Sequence, residues 1–300
     1  MTIESKFATK DEIFSPEFSR INQRLAAINK EHNLTDHDDI NTARFPWSAK
    51  QFEAPCLYVS RMWEYPYAIL AAELKAGMKC ADIGCGTTPF SIYLSESTGK
   101  NCVTGFDPDE IEGSNLHSTF GANKKLLESL GIRYLRNDMT KLDVPDESFD
   151  RVFCISVLEH IEEPSVWQTG INEMVRILKP GGRLILTMDM GIGLPLTNTY
   201  DIVKQSGLPL FGGFNFRWPR ERFLTLNNVP MDVFGLVLEK SDNKIFDDYE
   251  MKSQIPLYAA NKNYIPTVVD SKQVQIGKDL RRPNGMLRVV MKLVTGKYSR

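Results

Sequence analysis

The chain has 300 residues, with 36 Lys+Arg against 38 Asp+Glu and a formal net charge of -2. That length allows one large domain or two small ones, with a core that needs neither disulfides nor metals to hold it. Hydrophobic residues make up 42% and charged residues 25%, which excludes disordered, collagenous and disulfide-scaffold classes. The missing basic excess also excludes a protein that works mainly by coating nucleic acid.

The elements follow in chain order. Ser15-Pro16-Glu17 is a helix start, and Phe18, Ile21, Leu25 and Ile28 behind it form one apolar stripe at helical spacing. Residues 33–39 are polar loop. An aromatic cluster comes next: Phe45, Trp47, Phe52, Tyr58, Trp63, Tyr65 and Tyr67. Pro66 is placed to open a second helix that runs to about Ala76, where Gly77 ends it. From Met78 short apolar runs alternate with helical segments. The predicted strands are Cys80–Ile83, Cys102–Phe106, Arg133–Leu135, Arg151–Ile155 and Arg183–Met188. The predicted helices lie near Phe90–Ser97, Asn115–Leu130 and Ser165–Leu178. Alternation at this pitch means βαβ units and a parallel sheet, and right-handed crossovers make it a doubly wound α/β sheet.

After Met190 the rhythm breaks. Gly191 to Arg220 is rich in glycine, proline and aromatics, among them Phe214, Phe216 and Trp218, and predicts a packed lid over a pocket. Met231–Leu238 supplies a later strand. The expected organisation is a helical cap over 1–76, a nucleotide-binding core over 77–190, a lid with remaining core strands over 191–262, and a basic segment over 263–300. The last thirty residues hold eight Lys/Arg and one Asp, so +7 at this end offsets -9 in the first 270. That segment either carries ordinary surface charge or touches an anionic membrane surface, where each basic residue contributes about 1 kcal/mol. No aromatic ladder interleaves the charges, so nucleic acid is not an expected partner. Five cysteines without a C-x-x-C pair, no apolar signal segment and no run of eighteen apolar residues predict a cytoplasmic protein, peripheral to the inner membrane face at most.

The chemistry centres on Cys80-Ala81-Asp82-Ile83-Gly84-Cys85-Gly86-Thr87-Thr88-Pro89-Phe90-Ser91. A buried strand ends in two glycines and turns into a helix, where a Cβ would block a sharp turn and a close ligand. Pro89 stands where a dinucleotide site has its third glycine, and Asp82 precedes the first one. This suits a ligand with an ammonium group better than one with two phosphates. Asp107, before Pro108, falls 21 residues after Gly86 at the end of the next strand, where an acid can accept both ribose hydroxyls. After the third strand, Asp138 is placed to hold an adenine amino group, with Met139 against the ring. Two further runs are Ser148–Ile161, which includes Ser156-Val157-Leu158-Glu159-His160, and Ile177–Leu186, a helix end and turn into a strand.

Five such motifs in this order resemble the class I S-adenosylmethionine-dependent methyltransferases over roughly Gly77 to Met190. The resemblance implies a Rossmann-like seven-stranded sheet, mostly parallel with an antiparallel last strand, and S-adenosylmethionine at the carboxyl ends of the strands. It implies Asp82, Gly84 and Gly86 along the methionine part, Asp107 with Pro108 at the ribose, and Asp138 and Met139 at adenine. Ser156 would lie under the sulfonium. Methyl transfer needs nucleophile, methyl and sulfur in line, and the cofactor supplies the reactivity. If the acceptor is a hydroxyl, a base must take its proton, and His160, with Glu159 beside it, is the candidate. The first carboxylate of the cation-binding E-x-x-E-H variant is absent, so no metal is expected. Arg61 is a candidate partner for the methionine carboxylate. Trp63, Tyr65, Phe214 and Trp218 either pack as core or wall an acceptor. His32 and His117 read as surface histidines.

The expected function is methyl transfer to a small-molecule or glycan-type acceptor, at a hydroxyl oxygen. The alternatives are a protein or RNA methyltransferase, or a nucleotide-binding oxidoreductase or epimerase, against which the missing third glycine counts.

Overall fold

The computed structural model describes residues 3–34, 60–110, 121–161, 163–190, 196–215, 224–226 and 229–242. Five strands run parallel: β2 (Cys80–Ile83), β3 (Val103–Phe106), β4 (Ile132–Leu135), β5 (Phe149–Ile155) and β6 (Leu178–Met190). Their order is β4-β3-β2-β5-β6, so the chain reverses its direction of winding between β2 and β5. Ligands of open α/β sheets bind at such a reversal, outside the carboxyl ends of the strands. The predicted strands are all present, each within a few residues.

The far side of the sheet departs from expectation. β9 (Val229–Glu239) pairs antiparallel with β6, as the resemblance implied. Beyond it lies β1 (Glu4–Phe7), antiparallel to β9, and then β7 (Gly213–Asn215), parallel to β1. A short β8 (Leu224–Leu226) pairs with the start of β9, which brings the sheet to nine strands instead of seven. The segment expected as part of a helical cap therefore supplies a strand to the sheet. Four residues with alternating burial are too short to outweigh the helix signal behind them. Ser5 is fully buried and its hydroxyl accepts from the Val237 amide at 3.0 Å. Phe7 packs edge-on against Phe234 at 4.9 Å.

Helices cover both faces. On one lie α2 (Pro16–His32), α3 (Arg61–Ala72), α4 (Pro89–Thr98) and α5 (Lys124–Ser129), and on the other α6 (Pro164–Ile177) and α7 (Leu196–Ser206). A four-residue α1 (Lys10–Ile13) precedes α2. Along β5, Phe153 and Ile155 join the first apolar layer while Val152 and Cys154 join the second, the period-2 burial of a strand covered on both sides. The predicted stripe Phe18, Ile21, Leu25, Ile28 is the buried face of α2, and Ser15 caps it by accepting from the Phe18 amide. Of the predicted helix Asn115–Leu130, Lys124–Ser129 is helical and 111–120 lie outside the described residues.

Helix α3 starts five residues earlier than predicted, so Pro66 sits inside it. A proline there withholds the amide that would bond the carbonyl four residues back. That carbonyl belongs to Met62, and the side-chain amide of Asn22 on α2 donates to it at 2.8 Å. The missing bond is replaced across the helix pair. At its other end α3 is held by two arginines on neighbouring strands, Arg151 and Arg183, which pair in register. They donate to the carbonyls of Ala72 and Ala71, the last residues of the helix. The N-terminus of α3 thereby points to the carboxyl ends of β5 and β6. Among the described residues no helix is long and apolar enough to cross a membrane.

The segment expected as a lid contributes α7, β7 and the run Pro209–Phe211, which bonds along β9. Residues 191–195 and 216–223, with Phe216 and Trp218, and all of 243–300, with the basic segment, lie outside the described residues.

Candidate active site

Strands β2, β3 and β5 end side by side: Ile83 pairs with Phe106 and with Cys154. Asp82, Asp107 and Ser156 therefore come together at one end of the sheet. Between β2 and α4 the chain turns through Gly84 at φ +70° and Gly86 at φ +50°, backbone conformations that favour glycine. A Cβ on Gly84 would come within 2.5 Å of Val157. Cys85 between them turns back onto Gly105 of β3, where a Cβ would meet its sulfur at 2.7 Å. The amides of Gly84 and Cys85 both donate to the Phe106 carbonyl, at 2.8 and 3.1 Å.

Asp82 is 3% exposed, and its carboxylate accepts from the Ser91 hydroxyl of α4. Burial, opposed by that hydrogen bond and reinforced by the nearby Asp107, pushes its pKa up to about 7. Asp107 accepts the Gly86 amide on one oxygen and the Asp109 amide on the other, both at 3.0 Å. Burial raises its pKa too, and the two amides pull it back. A buried acid next to a second acid is strained by like charge, and a bound cation relieves it. The chemistry of the donor set fits S-adenosylmethionine: a buried carboxylate suited to an ammonium, a second carboxylate oriented by two amides and suited to ribose hydroxyls, and a turn with two glycines.

Pro108 is exposed beside Asp107, and its carbonyl accepts from Arg136 at 3.0 Å. Asp138 is exposed too, and one of its oxygens accepts both the amide and the hydroxyl of Thr140, at 2.8 and 2.7 Å. Met139 is buried against α6, where a Cβ on Gly170 would collide with it. The candidate adenine residues thus lie in the turn after β4, beyond β3.

Ser156 holds φ +50°, a conformation sparse for a residue with a side chain. Its amide donates to Thr187 and its hydroxyl donates to Glu64 at 2.6 Å. Arg61 on the first turn of α3 donates to both Ser156 and Glu64. Thr187 of β6 donates to the same Glu64 oxygen at 2.7 Å. Glu64 is fully buried. Sequence reasoning assigned it no role, although a carboxylate between Trp63 and Tyr65 in an otherwise apolar helix was a signal. Arg61 also lies over the Tyr65 ring, 5.8 Å from its centre.

His160 ends a short 3-10 turn, Leu158–His160, and is exposed toward the site. Desolvation lowers its pKa, Arg61 lowers it further and Glu64 opposes the shift, so the ring is neutral at pH 7. Glu159 is buried on the same turn, 6% exposed, and adds to the burial that raises the pKa of the Cys154 thiol.

Among the described residues the candidate aromatic wall is not assembled. Trp63 is fully buried, stacked on Tyr67 at 4.4 Å, with its indole donating to Glu12 at 2.9 Å. It is core of the helical layer, not acceptor wall. Phe214 lies on β7, with β6, β9 and β1 between it and β5, roughly 19 Å away at the usual strand spacing. It packs at the sheet edge away from Asp82. Tyr65 remains with the site, stacked on Phe90 at 4.9 Å and beside Thr88 and Asp82, its hydroxyl pKa raised by burial to about 12. Trp218 lies outside the described residues.

Residues 81–186 match the family model described as a methyltransferase domain. Among curated proteins, the chain is 30% identical over 152 residues to the ubiquinone/menaquinone biosynthesis C-methyltransferase UbiE of Laribacter hongkongensis, covering 51% of this chain and 59% of that protein. It is 27% identical over 218 residues to the sterol 24-C-methyltransferase of Yarrowia lipolytica, covering 69% and 51%. The chain thus spans between half and three fifths of the length of these relatives. Among solved structures, the YcgJ protein of Bacillus subtilis superimposes with a TM-score of 0.45 at 15% identity, over 60% of this chain and 99% of that one.

Proposed function

We propose, for a chain whose residues 81–186 are a methyltransferase domain of the class I S-adenosylmethionine-dependent family, that it transfers a methyl group to a small-molecule acceptor whose reacting atom gives up a proton. The observation that carries this reading is the cradle of Asp82, Gly84, Gly86 and Asp107. In it Asp82 faces the methionine ammonium, Asp107 takes the ribose hydroxyls, and Asp138 and Met139 border the adenine. Ser156 and Arg61 lie toward the methionine end. The cofactor brings an electrophilic methyl on a sulfonium. The protein aligns an acceptor with it and holds water away, because alignment removes much of the entropic barrier. His160, neutral at pH 7, accepts the acceptor's proton, and Glu159 fixes the turn on which it stands.

The acceptor atom is read as a hydroxyl oxygen or an acidified carbon. The carbon reading draws support from the relatives, whose names give C-methyltransferases of quinone biosynthesis and of sterols. Those names also favour an apolar, lipid-type acceptor over a glycan. The basic segment 263–300 would then dock the enzyme to an anionic membrane surface, and cosedimentation with anionic vesicles at low and high salt measures it. S-adenosylhomocysteine at a hundred times its Kd should stabilise the protein by about 2.7 kcal/mol in thermal denaturation, while NAD should not. Asp107→Ala should abolish the shift. Stabilisation by NAD alone would sink the reading.

A further inference from the structure

We propose that Glu64 is a positioning residue: it ties Arg61 and Ser156 into one buried cluster and balances the charge that His160 faces across the site. The kinetic part of this rests on the methyltransferase reading; the structural part does not. Three elements meet at this one carboxylate. One oxygen accepts from Ser156 at the end of β5 and from Thr187 on β6, at 2.6 and 2.7 Å, and the other accepts from Arg61 of α3. Glu64 is fully buried and Arg61 nearly so. A buried charge needs a partner and further hydrogen bonds, and here every member supplies them to the others.

The cluster sits where it can act on the site. Ser156 has φ +50°, and its hydroxyl is held by Arg61 and Glu64 while its amide is held by Thr187. Four residues on, one tight turn delivers His160. The charged groups facing the imidazole from α3 are Arg61 and Glu64. Its own segment carries the carboxylates Glu159 and, beyond the turn, Glu163. Arg61 disfavours the imidazolium and Glu64 offsets it, so the pair is a nearly neutral wall that keeps the ring available as a base. Clamping of the far end of α3 by Arg151 and Arg183 fixes the depth at which this pair stands.

The test is an NMR titration of His160 in the full chain, assigned with His160→Gln, in wild type, Glu64→Gln, Arg61→Met and the double variant. The proposal expects the imidazole midpoint to move to lower pH in Glu64→Gln, where Arg61 loses its counter-charge. It should move to higher pH in Arg61→Met, where the carboxylate faces the ring alone, and return toward wild type in the double variant. The double variant buries no unpaired charge and serves as the folding control; if one single variant fails to fold, the shift in the other carries the test. The acidic limb of kcat/KM should follow the same order. A midpoint unmoved in all variants, with only thermal stability lowered, overturns the proposal. Loss of S-adenosylhomocysteine binding by the wild type would instead overturn the methyltransferase reading and leave the titration to judge Glu64.

Discussion

Asp82 has its pKa raised from 3.8 to about 7, chiefly by burial. Two consequences follow at the level of this residue, with opposite signs. Between the two values the folded protein holds a proton that the unfolded chain has given up, so stability falls as pH rises from about 4 to about 7. Asp82→Asn should flatten that slope and raise the Tm of the ligand-free protein at pH 7.5. Ammonium binding needs the ionised form, so cofactor affinity should rise through the same region. Calorimetry with S-adenosylhomocysteine should show roughly tenfold tighter binding at pH 8 than at pH 6, and weak, pH-independent binding in Asp82→Asn. Asp82, Gly84, Gly86, Asp107 and Ser156 were legible in the sequence because each sits at the end of an apolar strand run. Glu64 was not, since only Arg61 stands at helical spacing to it, while Ser156 and Thr187 are 92 and 123 residues away in sequence. Trp63 and Phe214 left two readings open for the converse reason: an aromatic residue reads the same in sequence whether it lines a pocket or fills a core.

At the level of elements, one substituted hydrogen bond joins α2 to α3 within their shared apolar layer. Asn22→Ala should leave the buried Met62 carbonyl without a donor and cost about 1–3 kcal/mol in urea denaturation. Adding Pro66→Ala should return part of that loss, because residue 66 then offers its own amide to the same carbonyl. A double-mutant cycle measures the coupling, and strict additivity would show that the two features are independent. Proline is a strong breaker signal, which is why the start of α3 was placed at Pro66 and not at Arg61. The strands of the βαβ core were legible because they read as short apolar runs between helical segments, whereas of the helix predicted over Asn115–Leu130 residues 121–123 are not helical. Strand β1 escaped because a four-residue strand carries too few alternations to register.

For the whole molecule, β1 is the piece that joins the two ends of the described chain. Phe7 is 3% exposed and packs on Phe234, so Phe7→Ala should destabilise the entire domain by about 3–5 kcal/mol, in one cooperative transition common to all probes. Separate transitions for β1 and the cofactor core would show instead that the sheet edge unfolds by itself. The same pairing sets an order of events during synthesis. Ser5 finds its partner at Val237, 232 residues later. At roughly 5–20 residues per second a ribosome takes on the order of ten to fifty seconds to make that stretch. Throughout this interval Phe7 and the unpaired edge of β1 are in the cell without their neighbour. The far edge of the sheet can therefore close only once β9 has been made, while β2 to β6 can pair before it.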